Sequence, residues 1–300
     1  MNPPAVSNPS ASSDAEMSSR EGQSHPANSG DLTSSSIRSS ALSTSSEVRL
    51  SRSQQTWTGA GSAAGFVLRY LPPMRRLLTD VLGSESDADR ALAILISHLV
   101  KSGYSGHAKG RLRDFMILGL RSAAKARASE IESKAKMSSE GTALESPPEL
   151  DLDSAKTESR PWLSYWRDGL LQRAWRALER EQHCERTRAN RTGDAASGSL
   201  SGNAEANDLP HDLVHDVLRV VTDHSGESSE VIAGRIAELA ERSVSAAEVK
   251  RQLPIARSLF AQLLADEVSL TLEAADAEAI QAEIRKLGLQ KAFAGLQVKA

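Results

Sequence analysis

The chain is poor in the features that most often announce a function. Its 300 residues include a single cysteine, Cys184. That excludes an internal disulfide framework and any cysteine-built zinc site, which needs several thiolates at set spacings. Aromatic residues make up only 4%, sparse for a compact domain of this length. No run of about 18 apolar residues occurs, so no membrane span is expected. Met1–Ser13 lacks the apolar centre of a secretory signal, and a cytoplasmic location is the expectation. Charge of one sign is missing too: 36 Lys and Arg stand against 39 Asp and Glu, a net charge of -3. That argues against a wholly basic nucleic-acid coat or an acidic solvating tail. With no glycine-rich phosphate loop and no nucleophile motif, neither an enzyme nor a bound cofactor is expected.

What is present is unevenly distributed. Residues 1–50 hold 16 serines, with Pro3, Pro4, Pro9 and Pro26 among them and only isolated apolar residues. Such a stretch cannot bury enough apolar area to offset its ordering entropy, so 1–56 reads as a disordered Ser-rich tail. Apolar residues then recur at helical spacing over 57–136. Pro72-Pro73 is expected to divide the first helix, with a second segment ending at Gly83. Ser86, three residues before Asp89, reads as the start of the next helix, which stops at Ser102-Gly103. A longer helix spans about 111–136, with Phe115, Leu118 and Ala123 near its apolar face and Arg113, Arg121, Lys125 and Arg127 outside it.

Residues 137–160, with Pro147-Pro148 and no periodicity, read as a linker. A second helical block covers 161–287. Three of the four tryptophans lie between 161 and 183, which marks that helix as a core anchor. A Gly/Ser/Asn-rich flexible insertion is expected at 185–207 and a C-terminal tail at 288–300. No strand is expected, so the fold class is all-α, with two small helical domains.

Two constellations bear on function. The first is helix, short turn, helix at 229–264, with Ser245 and Glu248 forming a capping pair. A helix-turn-helix offers the start of its second helix to the DNA major groove. Here that start carries Glu248, Lys250, Arg251 and Gln252, and Lys, Arg and Gln are base- and phosphate-reading types. Two packed amphipathic helices in any bundle give the same pattern. The second constellation is the stretch 101–136, with nine Lys or Arg against three acids. It is either a phosphate-attracting patch or a solvated helix face.

Several blocks, in order, resemble a divergent branch of the extracytoplasmic-function-type (ECF-like) RNA polymerase sigma factors. They are YLPPMRRLL from Tyr70, GRLRDFMILGLRSAAKARA over Gly110–Ala128, and YWRDGLLQRAWRALEREQ over Tyr165–Gln182. SAAEVKRQLPIARSLFAQLLADEV follows from Ser245, and EAIQAEIRKL ends at Leu287. The resemblance covers about 57–287. It implies a region 2-like bundle, a region 4-like helix-turn-helix domain, and a factor that binds core RNA polymerase and promoter DNA. An anti-sigma or other regulatory protein is a further implied partner. On this resemblance Lys109, Arg111, Arg113, Phe115, Arg121, Lys125 and Arg127 face promoter DNA in region 2. Lys250, Arg251, Gln252 and Arg257 belong to the distal reader, and Asp87 and Asp89 meet the polymerase.

Other features favour a different reading, a sigma-like regulatory module that no longer reads promoters. Pro254 falls inside the expected second helix, where it should kink or end it. Over 211–300 there are ten Lys or Arg against fourteen acids, a sign unfavourable to DNA. His211 and His215, four apart beside Asp212 and Asp216, are a weak metal candidate with no evident third ligand. His183-Cys184 reads as incidental, and Asp266-Glu267 with Glu273 as a solvated acidic face.

Overall fold

A computed structural model describes residues 47–49, 63–102, 110–138, 150–195 and 211–299. The Ser-rich stretch up to residue 46, residues 50–62, Lys109 and most of the expected insertion (196–207) lie outside the described residues. Eight α-helices dominate what is described: α1 Ala63–Leu82, α2 Glu85–Lys101, α3 Leu112–Ser138, α4 Arg160–Ala195, α5 Val214–Asp223, α6 Ser229–Ala240, α7 Ala246–Ser269 and α8 Ala277–Lys286. A 3-10 turn at Gln290–Phe293 follows. Two three-residue strands, β1 Glu47–Arg49 and β2 Gln297–Lys299, pair in parallel with Val48 opposite Val298. The class is all-helical, as expected; these two short strands are the unexpected addition, and they place structure in both expected tails. Three residues are too few to carry a period-2 signal.

α1 is one continuous helix, not two. Pro73 has no N–H to give the carbonyl of Arg69 four residues earlier, and Arg173 Nη1 donates to that carbonyl instead, at 3.4 Å. α1 ends at Gly83, whose φ of +68° is a left-handed conformation suited to glycine. The cap of α2 is Ser84, not Ser86: its hydroxyl accepts from the Asp87 amide. α2 and α3 pack antiparallel. Asp87 meets Arg127, and Leu95 lies so close to Gly119 that an added Cβ would sit 3.0 Å from its Cδ1.

α4 buries two different faces. Its first half lies antiparallel to α1, with Tyr165 against Asp80 near the end of α1 and Arg173 against Arg69 in its second turn. Trp166 stacks on Tyr70, with ring centres 5.3 Å apart, and Gly169 approaches Pro73. Its second half turns Trp175 onto Phe260 of α7 and His215 of α5. The helix continues through the expected insertion to Ala195. Arg186 secures this extension by donating to the Asp212 carbonyl at 2.8 Å and to Asp216 at 2.6 Å.

Helices on both sides of 137–160 share one core, which runs from Tyr70 through Trp162 and Trp166 to Phe260, Ile280 and Leu289. A smaller cluster joins α5, α6 and the first turns of α7 through Val217, Ile236 and Val249. The described residues all belong to one compact unit. The later part of the expected linker belongs to it: Ala155 is buried, and Glu158 meets Arg113 and Lys286. Leu112 N donates to Thr271 O, and Glu273 N to Gly110 O, so the entrance to α3 is stitched to the α7–α8 junction.

Candidate nucleic-acid interface

The residues expected on DNA divide into two sets. On α3 the buried side is Leu112, Arg113, Met116, Ile117, Leu120, Ala123, Ala124 and Arg127. Arg113 is fully buried. Its Nε donates to Glu283 at 2.7 Å and its Nη1 to the Thr157 carbonyl at 3.1 Å. Arg127 donates to Asp87 at 2.8 and 3.0 Å and to Glu130 at 2.7 Å. These two arginines therefore bind acids of their own chain, which corrects their placement on the outer face. Phe115 and Leu118, expected on the apolar face, are exposed, 38% and 63% respectively. The outer stripe instead reads Arg111, Phe115, Leu118, Ser122, Lys125. Arg111 stands 3.5 Å from Glu283 and 3.6 Å from Glu158. Lys125 is exposed and Arg121 half-buried, and neither makes an ion pair among the described residues.

The two acids expected on the polymerase are also engaged internally. The hydrogen bonds from Arg127 hold the Asp87 carboxyl below the usual aspartate range, and those from Arg75 do the same for Asp89. Arg75 grips Asp89 through both oxygens, at 2.7 and 3.1 Å, and reaches Glu85 at 2.9 Å.

The helix-turn-helix forms as α6, a turn at 241–245, and α7. Ser245 caps α7 by accepting from the Glu248 amide at 3.2 Å. The Glu248 carboxylate does not reach back to Ser245; it accepts from Arg242 at 2.8 Å, and Arg242 also bridges to Asp212. Lys250, Arg251, Pro254 and Arg257 are exposed along one side of α7. None of the three cations makes an ion pair among the described residues. Gln252 points the other way and is buried, 1% exposed, so it cannot read a groove in this conformation. Pro254 does not end α7. It lies on the outer stripe with Lys250, whose carbonyl loses its helical donor on the solvent side, where water can replace it.

The remaining candidates resolve as structural. His215 is buried, with Nδ1 3.2 Å from Asp216 and its ring edge-on to Trp175. Gln182 Oε1 accepts from the His215 and Asp216 amides at 2.8 and 3.1 Å, serving the first turn of α5. Burial opposes ionisation of Asp216, but hydrogen bonds from His215, Gln182 and Arg186 outweigh it, and the carboxyl lies below its usual range. No cluster of three or more metal-ligating side chains exists among the described residues. Asp266-Glu267 is not a solvated face. Glu267 is buried between Arg69 at 2.6 Å and Arg173 at 2.7 Å. Burial, offset in part by Gln262, pushes the Asp266 carboxyl up to about 6. Glu273 is exposed, and its carboxylate accepts from the Gly110 amide.

Sequence reading missed the Arg69–Glu267–Arg173 triad. Nothing in local spacing pairs residues about a hundred or two hundred positions apart. It also missed Gln182 as the partner of α5. No protein-family model, curated protein or solved structure matches the chain. Among the described residues no helix is long and apolar enough to cross a membrane.

Proposed function

We propose that the chain is a sigma-factor-like promoter-recognition protein, which binds core RNA polymerase and contacts DNA through the outer stripe of α7. The observation that carries this reading is the trio Lys250, Arg251 and Arg257. They are exposed, unpaired among the described residues, and aligned on the second helix of a capped helix-turn-helix. Cations gripped by acids have their donors already engaged; these three have none against them, Lys250 feeling only the longer-range charge of Glu230, and their donors are open to phosphates or guanine edges. The outer α3 cations Arg121 and Lys125 form a secondary contact. The region 2-like and region 4-like halves, in this reading, act from one shared core.

Reconstitution with core polymerase on genomic DNA, followed by mapping of transcript starts, tests the reading. Discrete starts that depend on the protein, and that are lost in Lys250→Ala/Arg251→Ala, are expected. No polymerase binding together with no directed initiation sinks it. A second reading is a sigma-like regulatory module that no longer reads promoters. It is favoured by the internal engagement of Asp87, Asp89, Arg113 and Arg127, residues that the resemblance assigns to polymerase and DNA. Polymerase binding without sequence-directed starts is its expected signature.

A further inference from the structure

The arginines of α4 separate into two groups. Arg167, Arg173, Arg186 and Arg188 each meet a carboxylate. Arg160, Arg176, Arg180 and Arg191 meet none among the described residues, and all four are exposed. Arg160 stands apart in the first turn of α4, but the other three are not scattered. Positions 176, 180, 183, 187 and 191 are spaced four, three, four and four apart, which places them along one side of a helix. That side lies opposite the one through which Trp175, Leu178 and Gln182 pack on α5 and α7. His183 is exposed within the stripe, and Glu179 is an exposed acid at its edge. From Arg176 to Arg191 the stripe runs about 22 Å at the helical rise of 1.5 Å per residue.

A solvent-facing row of guanidiniums left unpaired, in a chain with more acids than bases, complements a polyanion. We infer that this face of α4 is a second docking surface, one that follows the phosphodiester backbone of duplex DNA without reading its sequence. Guanidinium matches phosphate geometry in a bidentate manner, and a rigid row of such groups spans several phosphates on a duplex carrying one charge per roughly 1.7 Å. The inference extends the DNA-binding reading above but concerns a different helix. α7 supplies discrimination between sequences, and α4 supplies affinity common to all of them.

The test uses the full chain and a 20-base-pair duplex of random sequence, with binding followed by anisotropy over a series of salt concentrations. Arg176→Ala/Arg180→Ala/Arg191→Ala is expected to weaken binding by roughly tenfold or more at low salt. It should also reduce the slope of log K against log salt by about 2 to 3, since each phosphate contact contributes about 0.9. The matching triple Arg→Lys variant should keep most of the slope. As a charge control, Arg90→Ala/Arg219→Ala/Arg285→Ala removes three positive charges elsewhere on the surface. Equal losses in control and stripe variants overturn the inference, as does binding by the stripe variant within twofold of the wild type. The same titration on Lys250→Ala/Arg251→Ala/Arg257→Ala separates the two readings. Random-duplex affinity retained there, with transcript starts lost, leaves α4 as the general contact. If the wild type has no affinity for random duplex, the α4 inference falls while promoter-directed initiation stands or falls on its own experiment.

Discussion

Arg173 supplies the hydrogen bond that Pro73 withholds. Proline at 73 leaves the Arg69 carbonyl without its helical donor, and the Arg173 guanidinium, crossing from α4, donates to it. The same guanidinium lies 4.7 Å over the Tyr70 ring and pairs with Glu267 at 2.7 Å. One side chain therefore joins α1, α4 and α7. Arg173→Met is expected to cost about 3 kcal/mol or more, because it leaves part of the Glu267 charge buried and uncompensated. In a Pro73→Ala background the Arg69 carbonyl regains a backbone donor. The cost of Arg173→Met should then shrink by about 0.5–1 kcal/mol, the worth of one hydrogen bond. Urea unfolding of the four proteins of this cycle measures the coupling, and strict additivity would show that Arg173 and Pro73 are independent.

The two faces of α3 make opposite predictions at adjacent positions. Ile117 is fully buried and Leu118 is 63% exposed. Ile117→Ala should destabilise by about 2–4 kcal/mol, whereas Leu118→Ala should stay within about 0.5 kcal/mol. Equal effects at the two sites, measured as shifts in urea midpoint, would contradict the described packing of α3 on α2.

These α3 positions also mark how far the sequence was legible. Helical periodicity located α2, α3, α6 and α7 within a few residues, and Ser245 announced the start of α7. Periodicity did not reveal which side of α3 faces inward. The buried side carries two arginines whose charges are met by Asp87 and Glu283, 40 and 170 residues away. Hydrophobicity alone assigns an arginine to the surface, and only the distant acid makes its burial tolerable. The α4 extension was missed for a related reason. Residues 185–195 are polar all round, and what holds their beginning is Arg186 against the α5 end, a contact across the polar 196–210 stretch. At the α7 stripe the reading was closer: Lys250, Arg251 and Arg257 lie outside, and Gln252 alone turned inward.

Asp266 predicts a pH dependence with a definite sign. Its carboxyl titrates near 6 in the folded protein and near 3.9 when unfolded. Between those values the folded state holds more protons than the unfolded one, so stability falls as pH rises from about 4 to 6 and stays lower above. Asp266→Asn keeps an oxygen to accept from Gln262 and removes the charge. It should stabilise the protein by up to about 2 kcal/mol at pH 8 and have little effect below pH 4. Denaturant midpoints of the two proteins across pH 4–8 provide the check. Parallel curves would show that Asp266 does not produce the slope.

Glu241 closes α6 in a left-handed conformation, with φ of +53°, the one non-glycine residue with positive φ among those described. Its side chain is exposed and makes no ion pair among the described residues. Glu241→Gly removes the steric cost of a Cβ at that angle and gives up no contact. A gain of up to about 1 kcal/mol is expected. The turn it occupies sets α6 against α7, so the variant also separates stability from DNA contact. A higher melting temperature with unchanged duplex affinity is the expected pair of results, and a loss of stability would show that Glu241 makes a favourable contact there.

The Arg113–Glu283 pair yields the sharpest contrast with a DNA-facing role. Both side chains are buried, and the pair joins α3 to α8. If Arg113 acts as a structural tie, Glu283→Gln should destabilise by about 2–3 kcal/mol, because it removes the buried partner of Arg113 and leaves only the more exposed Asp114 and Glu158 to offset the charge. Arg113→Met combined with Glu283→Leu should recover much of that loss, because an apolar pair removes both desolvation costs. A promoter-contacting Arg113 predicts the reverse ordering. The double variant would then be folded and inactive in DNA binding, while Glu283→Gln would free the arginine and strengthen it. Paired measurements of urea midpoint and duplex affinity on the two variants decide between a tie and a contact.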